Sequence, residues 1–461
     1  MKEEVGGPRR RGARFERDWT KGSIVRNLWL LSWPMTVHEI FFTGSNIVDM
    51  IFVGRLGATS IAGVGVASMV ARLVESAAQG LVIGARAMVA RFVGAGDDRG
   101  ANHVVRQALI ISAVYGALVT IIGVLFVEPI LNLFGLEADV IVEGVAYMRI
   151  IFAGWMFTSF WVAAYGIIQA SGDTVTAMKI TIFTRSVRMV LDPFLIFGWW
   201  LFPRLGVGGA ATAHVISQSL AISLALWVLF RGRTRLRLTL RGFRLDTNII
   251  GRIVKIGIPA AVMNLQRAFG NLVLTRFMVP FGTLAVAAHS LVHRAEMILH
   301  IPNITLGRGA GVLVGQNLGA GQPERAERSG WLAVSFVEAF MLIGSVAILL
   351  WAESIIRIFN SEPALVQLAS IFLRIAAAGY LVLGFTSVLQ QVISVAGDTI
   401  PPMLISLAMI WLVQLPLAFL LPRVTELGVY GVRWAIVAGL VVGAVACITY
   451  FRLGRWKRKK V

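Results

Sequence analysis

The segments Gly94-Ala95-Gly96 and Gly172-Asp173-Thr174 return later in the chain as Gly319-Ala320-Gly321 and Gly397-Asp398-Thr399. Both repeats lie at an offset of 225 residues. The same offset relates further pairs: Pro34 and Pro259, Gly57 and Gly282, Glu128 and Glu353, Phe134 and Phe359, and Arg149 and Arg374. Because one register holds over nearly half of the chain, we predict an internal duplication with two equivalent halves.

The composition of the repeat unit indicates which solvent surrounds it. Of 461 residues, 57% are hydrophobic and only 15% are charged. A soluble protein of this length could not bury so much apolar surface, so the bilayer is the expected solvent. The apolar stretches run for about 20 residues or more and do not alternate as in a barrel. We therefore predict an all-α integral membrane protein, since backbone groups in lipid must be satisfied internally.

Twelve apolar stretches are long enough to be transmembrane helices, numbered here 1 to 12. Their predicted spans are 25–53, 60–93, 102–127, 139–170, 173–201, 207–230, 249–280, 284–318, 327–351, 364–395, 398–421 and 427–451. Each half then contains six helices, so both halves enter the membrane with the same orientation. We predict two six-helix lobes related by a pseudo-two-fold axis along the membrane normal.

The distribution of positive charge predicts the topology. The net charge of +19 would suit a nucleic-acid partner, but the basic residues cluster where a membrane protein has its cytoplasmic anchors. The predicted outward loops carry only Arg55, Arg204, Arg357 and Arg423. We expect a multi-pass protein of a prokaryotic cell membrane, with both termini cytoplasmic, no nucleic-acid partner, and contacts to anionic headgroups at the cytoplasmic face. The predicted parts are a tail at 1–24, an N-lobe at 25–230, a basic linker at 231–248, a C-lobe at 249–451 and a basic tail at 452–461.

Two intramembrane acids occur in one lobe only and are the first candidates for function. Asp49 in helix 1 has Leu274 at its matching position, and Asp192 in helix 5 has Leu417. Ionisable groups in the membrane are costly, so they indicate function by default. Arg188 lies one turn before Asp192, which leaves a structural salt bridge as the alternative.

A second polar set lies on helix 8, where His289, His293, Glu296 and His300 share one face by their spacing. This face could relay protons or pack in a cavity, whereas a metal site is disfavoured because the four side chains extend too far along the axis. Cys447 is the only cysteine, which excludes an intramolecular disulfide. No nucleotide-binding loop or nucleophile motif is present, so we predict a transporter driven by an ion or substrate gradient and not an enzyme.

Three segments give the chain a family resemblance. They are Val48-Asp49-Met50-Ile51-Phe52-Val53-Gly54-Arg55-Leu56-Gly57, Leu191-Asp192-Pro193 and Leu313-Val314-Gly315-Gln316-Asn317-Leu318-Gly319-Ala320-Gly321. With them the chain resembles the multidrug and toxic compound extrusion (MATE) transporters over residues 25–451. The resemblance implies two lobes around a central cleft and export of mostly cationic, amphipathic compounds against protons or sodium. It also implies that Asp49 and Asp192 form the N-lobe ion site and that Pro34 is the hinge at which helix 1 bends.

Several positions depart from the family pattern. Arg188 replaces an asparagine before the helix 5 acid, His214 replaces a threonine in helix 6, and Tyr165 replaces an asparagine late in helix 4. Met263 stands where some members have a glutamate, beside Asn264. A permanent cation and an imidazole in place of neutral oxygen ligands disfavour sodium. Proton coupling is therefore expected, with Arg188 keeping Asp192 ionised and Asp49 carrying the proton.

The preferred interpretation is a monomeric, proton-coupled antiporter that needs no cofactor other than the coupling ion and moves small molecules by alternating access. The predicted ion-coupling residues are Asp49, Asp192, Arg188 and His214. The predicted residues of the substrate cavity are Asn46, Tyr165, Asn264, Arg267, His293, Glu296 and Gln390. One alternative is a flippase or exporter for a lipid-linked or anionic substrate, favoured if Arg188 and Arg267 both face the cleft. Another is a non-transporting membrane scaffold, against which the buried single-lobe acids speak.

Overall fold

A computed structural model describes residues 17–239 and 243–459, and these residues form helices and loops without a strand. The first six helices are Ile24–Gly54, Ala58–Gly94, Asp98–Leu125, the pair Ala138–Ala153 and Trp155–Ala170, Thr174–Phe197, and Val207–Phe230. The second six are Thr247–Met278, Thr283–Gly319, Pro323–Arg357, Pro363–Val395, Ile400–Val424 and Val429–Leu453. Most of the predicted N-terminal tail, Arg241 in the linker and residues 460–461 lie outside the described residues, so their placement stays a prediction.

The helices fit a membrane-spanning fold. Among the described residues, nine helices are individually long and apolar enough to cross a bilayer, and the two parts of helix 4 together would make a tenth. Helices 1 and 5 do not meet this measure, and they are the helices that carry Asp49, Arg188 and Asp192. The predicted layout of twelve helices in two lobes is confirmed.

The structure departs from the predicted helices at three places. Helix 4 bends by 55° at Gly154, where a side chain would overlap Val215 of helix 6, so glycine lets the two helices approach at the bend. A short helix, Val127–Asn132, precedes helix 4 and was not predicted. Helix 11 contains a π-helical segment, Ala408–Gln414. Apolar patterning cannot reveal any of these, because it reports the length of a stretch and not local changes of backbone geometry.

The 225-residue offset also governs the contacts between the lobes. Gly94 of helix 2 packs against the backbone of Gln316, and Gly319 of helix 8 packs against the backbone of Arg91. A Cβ atom at either glycine would overlap the facing carbonyl oxygen. Arg91 and Gln316 are themselves 225 residues apart, so the two contacts are copies of one another. This pairing is what a pseudo-two-fold axis between the lobes requires.

The lobes meet on the side of the protein where both described chain ends lie. The hydroxyl groups of Thr36 and Thr305 are 2.9 Å apart, and the Gln316 amide donates to the carbonyl of Ala170 at 3.0 Å. These contacts fall in the first half of helix 1, the end of helix 4 and the second half of helix 8. The space between the lobes therefore opens toward the opposite side.

The described part of the C-terminal tail packs on the C-lobe. Residues Arg455–Arg458 form a 3-10 helix that buries Trp456 completely. Lys457 Nζ lies 2.5 Å from Glu327, and Lys459 Nζ lies 3.2 Å from Asp398. The sequence predicted a basic tail that faces lipid headgroups, whereas these two lysines are engaged within the protein.

The two Gly-Asp-Thr motifs share a turn but differ in their caps. Gly172 and Gly397 both have φ +94°, which favours glycine. Asp173 then caps helix 5, because its side chain accepts a hydrogen bond from Thr176 N at 3.0 Å. Asp398 caps nothing, since it binds the hydroxyl of Tyr450 at 2.5 Å. An aspartate N-cap is thus present in the first motif only.

This difference leads to a stability prediction. Asp173→Ala should lower the free energy of unfolding by about 1 kcal/mol, because one N-terminal amide of helix 5 loses its acceptor. Asp398→Ala should act instead by releasing Lys459 and Tyr450. Thermal unfolding of both purified variants, with circular dichroism to follow helix content, would check the result. An Asp173→Ala variant as stable as the parent would contradict the capping role.

Candidate functional site

A cavity of about 800 Å³ lies between the lobes. Residues of helices 1, 2, 4, 5, 6, 7, 8, 10, 11 and 12 contribute to its wall, so both lobes shape it. Its charged lining residues are Glu39, Glu75, Glu296, Arg86, Arg185, Arg267, Arg294, Arg308 and Arg433. This set holds six guanidinium groups and three carboxylates, so the cavity is lined with an excess of positive charge.

One ion pair on the cavity wall joins the two lobes. Arg308 of helix 8 donates to Glu39 of helix 1, with Nη1 and Oε2 3.1 Å apart. Beside this pair, the rings of His38 and Tyr165 stack with their centroids 4.3 Å apart. Tyr165 was predicted as a cavity residue and lines the cavity, whereas the Glu39–Arg308 pair was not predicted. A pair that reaches across the lobe interface should break whenever the lobes part on this side.

The polar face of helix 8 also lines the cavity. Glu296 accepts from Arg433 of helix 12 at 2.7 Å, and His293 Nδ1 lies 3.7 Å from the same carboxylate. Arg433 also contacts His289 Nδ1 at 3.3 Å. Within the described part of the chain, no group of His, Cys, Asp or Glu is arranged to hold a metal ion. Arg433 was not predicted from the sequence. The signal was present, because Arg433 is a charged residue inside an apolar helix and the matching position in the other lobe is Ala211. The same signal identified Asp49.

Most of the predicted cavity residues lie where they were expected. Arg267 donates to the side chain of Gln390, and the Asn264 amide donates to the carbonyl of Ser76 at 3.3 Å. The predicted residues that line the cavity are Tyr165, Asn264, Arg267, His293, Glu296 and Gln390. Asn46 is the exception, because it lies further along helix 1 and its amide oxygen faces Arg188 at 3.5 Å. Asn46 is therefore not among the residues that line this cavity.

The single-lobe acids form a separate cluster beside the cavity. Arg188 Nη2 lies 2.7 Å from Asp49 Oδ2, and Arg188 Nε lies 4.0 Å from Asp192 Oδ1. All three side chains are buried, and Asp192 has no exposed surface. None of them lines the central cavity. Neither carboxylate oxygen of Asp192 has a hydrogen-bond partner among the described residues.

This geometry changes the expected pairing. The sequence pairs Arg188 with Asp192, one turn away, and leaves Asp49 free to carry a proton. In the structure Arg188 forms its short ion pair with Asp49, because helices 1 and 5 pack together, and Asp192 is the acid with the weaker partner. Two arginines, Arg188 and Arg267, would favour an anionic or lipid-linked substrate if both faced the cleft. Of these two, Arg267 lines the cavity and Arg188 does not.

The remaining predicted site residues lie near this cluster. His214 is on helix 6, which packs against helix 5, and no hydrogen bond joins it to Asp49 or Asp192 within the described residues. Pro34 is buried inside helix 1, which continues without a break from Ile24 to Gly54. The expected roles of both residues, in coupling and in bending, stay predictions.

Comparison with known proteins identifies relatives over nearly the whole chain. Residues 34–194 and 259–420 match the model of the MatE family, so the two matched segments begin 225 residues apart. The chain is 26% identical over 449 residues to a probable multidrug resistance protein NorM of Thermotoga maritima, covering 95% of this chain and 94% of that protein. It is 27% identical over 426 residues to a protein of Shewanella oneidensis named FAD transporter, covering 92% and 93%.

A solved structure shares the fold. The MOP superfamily transporter from Pyrococcus furiosus, described with a binding pocket of reverse polarity that suggests a different function, matches with a TM-score of 0.90 and 25% identity over 97% of this chain and all of that one. The family match covers well over half of the described helices and both lobes. Together with the duplicated twelve-helix fold and the cavity between its lobes, this match shows that the chain belongs to the MatE family of membrane transporters.

Proposed function

We propose that this protein is a secondary active exporter that moves amphipathic small molecules across a prokaryotic cell membrane by alternating access. The observation that carries the proposal is the cavity of about 800 Å³, which lies between two symmetry-related lobes and opens on one side. A volume of this order suits a drug-sized ligand. Rocking of one lobe against the other would expose the cavity to the other side. The distribution of basic residues in the sequence supports cytoplasmic termini, and we propose that the protein acts as a monomer.

We further propose that protons drive the cycle through the cluster of Asp49, Arg188 and Asp192. Two buried carboxylates share one guanidinium within ion-pair distance, so a fully ionised cluster carries one negative charge more than it can pair. Binding one proton would neutralise that surplus, and an uncompensated buried charge is strongly unfavourable. Arg185, His214 and Tyr147 also lie near the cluster. Sodium is the less favoured ion because Arg188 occupies the carboxylates it would need.

The relatives support transport but point to different substrates. Names such as multidrug resistance protein NorM favour drug efflux, which is the prediction from the sequence. The Shewanella oneidensis relative is named for FAD, a molecule with a negatively charged pyrophosphate. We therefore propose amphipathic compounds as the substrate class, and a lipid-linked or anionic substrate remains the alternative. A scaffold without transport has no need of a polar cavity beside a buried ionic cluster.

Uptake into proteoliposomes tests the proposal. The purified protein would be reconstituted into liposomes, and a pH gradient would be imposed across the membrane in the absence of sodium. Uptake would be measured for a cationic dye, rhodamine 6G, and for an anionic dye, carboxyfluorescein. We expect uptake of at least one dye, and we expect it to stop when the gradient is collapsed. Uptake of neither dye, with or without sodium, would contradict the proposed function. Liposomes without protein provide the control.

A further inference from the structure

We propose that the central cavity selects amphipathic organic anions and that Arg86 receives their acidic group. The inference rests on the proposed function and assigns the substrate class of the same cavity. The aromatic part of such an anion would pack on the rings beside Arg86. The cationic substrates expected from the family resemblance would be bound weakly.

Most of the carboxylates that line the cavity are already paired with an arginine of the protein. Glu39 is paired with Arg308, and Glu296 is paired with Arg433. Each of these acids is therefore already neutralised by an arginine of the protein. Among the described residues, Glu75 is the one cavity acid without a guanidinium within 4 Å, and it accepts a weak hydrogen bond from Gln79 at 3.4 Å. A cationic ligand would thus find one available carboxylate.

An anionic ligand would find four available guanidinium groups. Within the described residues, no acid lies within ion-pair distance of the cavity residues Arg86, Arg185, Arg267 and Arg294. Arginine keeps its charge in proteins, so these groups cannot become neutral by losing a proton. The low-dielectric protein around the cavity strengthens their combined field relative to bulk water. Positive charge that the protein itself does not compensate favours a ligand that brings negative charge.

Arg86 is the cavity arginine with two buried nitrogen atoms that lack a hydrogen-bond acceptor among the described residues. Its Nε and Nη2 atoms have almost no contact with solvent and no hydrogen-bond partner among the described residues. Its aliphatic part packs against Gly166, which positions the charged end toward the cavity. Arg308 lies close enough to add its charge. A carboxylate or phosphate offers two oxygens in the geometry that an arginine fork binds, so it would pair with both nitrogen atoms once the Arg86 side chain turns them toward the cavity.

The surroundings of Arg86 suit the apolar part of the ligand. Trp161 and Tyr165 line the same region, with ring centroids 5.6 Å apart, and Tyr165 stacks on His38. Phe42 lies under the guanidinium of Arg185 at 4.5 Å. Flat rings can pack against such side chains while the acidic group reaches Arg86. The expected ligand is therefore an aromatic compound that carries a carboxylate or a phosphate.

Binding of two dyes with one ring scaffold tests the inference. Fluorescence anisotropy with the purified protein in detergent would give Kd values for carboxyfluorescein and for rhodamine 6G. We expect the anionic dye to bind more tightly, and we expect Arg86→Gln to weaken it by roughly 10- to 100-fold, as for the loss of hydrogen bonds to a charged group. Arg86→Lys keeps the charge and should weaken binding less. Arg357→Gln removes an exposed arginine at the end of helix 9 and should leave the Kd unchanged.

The outcomes separate this inference from the proposed function. Tighter binding of rhodamine 6G than of carboxyfluorescein would overturn the anion site. So would a Kd for carboxyfluorescein that is the same in the parent and in both Arg86 variants. Either result would overturn the site even if pH-driven uptake of rhodamine 6G succeeds. Tight, Arg86-dependent binding of carboxyfluorescein without uptake would support the site and contradict transport. A short-chain anionic phospholipid as competitor distinguishes the two sources of the anion: displacement of the dye identifies a lipid headgroup as occupant, and its absence identifies a soluble anion. Both results support the site.

Discussion

Replacing Asp192 by asparagine is expected to abolish the dependence of transport on the pH gradient while leaving the protein folded. Asparagine has nearly the shape of a protonated aspartic acid, and it leaves Asp49 and Arg188 as a neutral pair with Nη2 and Oδ2 2.7 Å apart. The surplus negative charge of the cluster is then gone, so no proton is needed to neutralise it. Coupling free energies between sites are about 1–3 kcal/mol, so uptake should fall by roughly 5- to 150-fold.

Asp49→Asn should lose coupling in the same way for a different reason. Arg188 would then have Asp192 as its one remaining carboxylate, at 4.0 Å, and would keep it ionised. Both variants should still exchange labelled substrate across the membrane when no gradient is imposed, because the cavity does not include these residues. Retained exchange separates a loss of coupling from a loss of folding.

Two measurements check this prediction. Uptake under an imposed pH gradient is compared with exchange at equal pH for the parent, Asp192→Asn and Asp49→Asn, with Glu353→Gln as a control that removes an exposed acid at the far end of helix 9. The protons released when substrate binds are counted by calorimetry in two buffers. Full pH-driven uptake by either asparagine variant would show that the cluster does not carry the coupling proton.

The fold could be predicted because two global features of the sequence determine it. Stretches of about 20 apolar residues fix the number of helices, and the constant offset from Pro34 to Pro259 fixes the symmetry that relates them. The bend at Gly154 and the π-helical segment of helix 11 could not be predicted. The bend depends on what a neighbouring helix presents at one position, namely Val215 beside Gly154. The π-helical segment is a local change of backbone geometry that apolar patterning does not report.

For the candidate site, the sequence indicated which residues belong to it but not how they contact one another. An acid or arginine in an apolar helix is visible in the sequence, so Asp49, Asp192 and Arg188 were found. The expected pair of Arg188 and Asp192 is present at 4.0 Å, but the shorter pair of Arg188 and Asp49 was not predicted, because sequence distance does not show that helix 1 packs against helix 5. Pairs such as Glu39 and Arg308 join residues 269 positions apart, and no local pattern connects them.

The glycine motifs show the same limit. Both Gly-Ala-Gly segments end a helix, and Gly96 and Gly321 have φ +74° and +72°, in the left-handed region that favours glycine. Gly94 and Gly319 have another role, since each lets one lobe touch the backbone of the other. Sequence alone could place these residues at a helix end but could not show what faces them.

Gly319→Ala is accordingly expected to stop transport by preventing closure of the lobes on the side of the termini. Its methyl group would overlap the carbonyl oxygen of Arg91, and backbone cannot move aside as a flexible side chain can. Overpacking of this kind costs about 1–3 kcal/mol. The cost falls only on the conformation in which the lobes touch here, so the population of that conformation should drop by roughly 5- to 150-fold. Gly94→Ala should act in the same way, because the contact is duplicated.

Cross-linking across the lobes measures the population directly. Thr36→Cys together with Thr305→Cys replaces two hydroxyl groups that are 2.9 Å apart, so oxidation should join the lobes efficiently in the parent background. Adding Gly319→Ala should reduce the yield and the uptake together. Gly65→Ala is the matched control, because a Cβ there has no neighbour within 4 Å. Normal cross-linking and uptake in the Gly319→Ala variant would mean that this contact is dispensable for closure, and the symmetric glycines would then be only ends of helices.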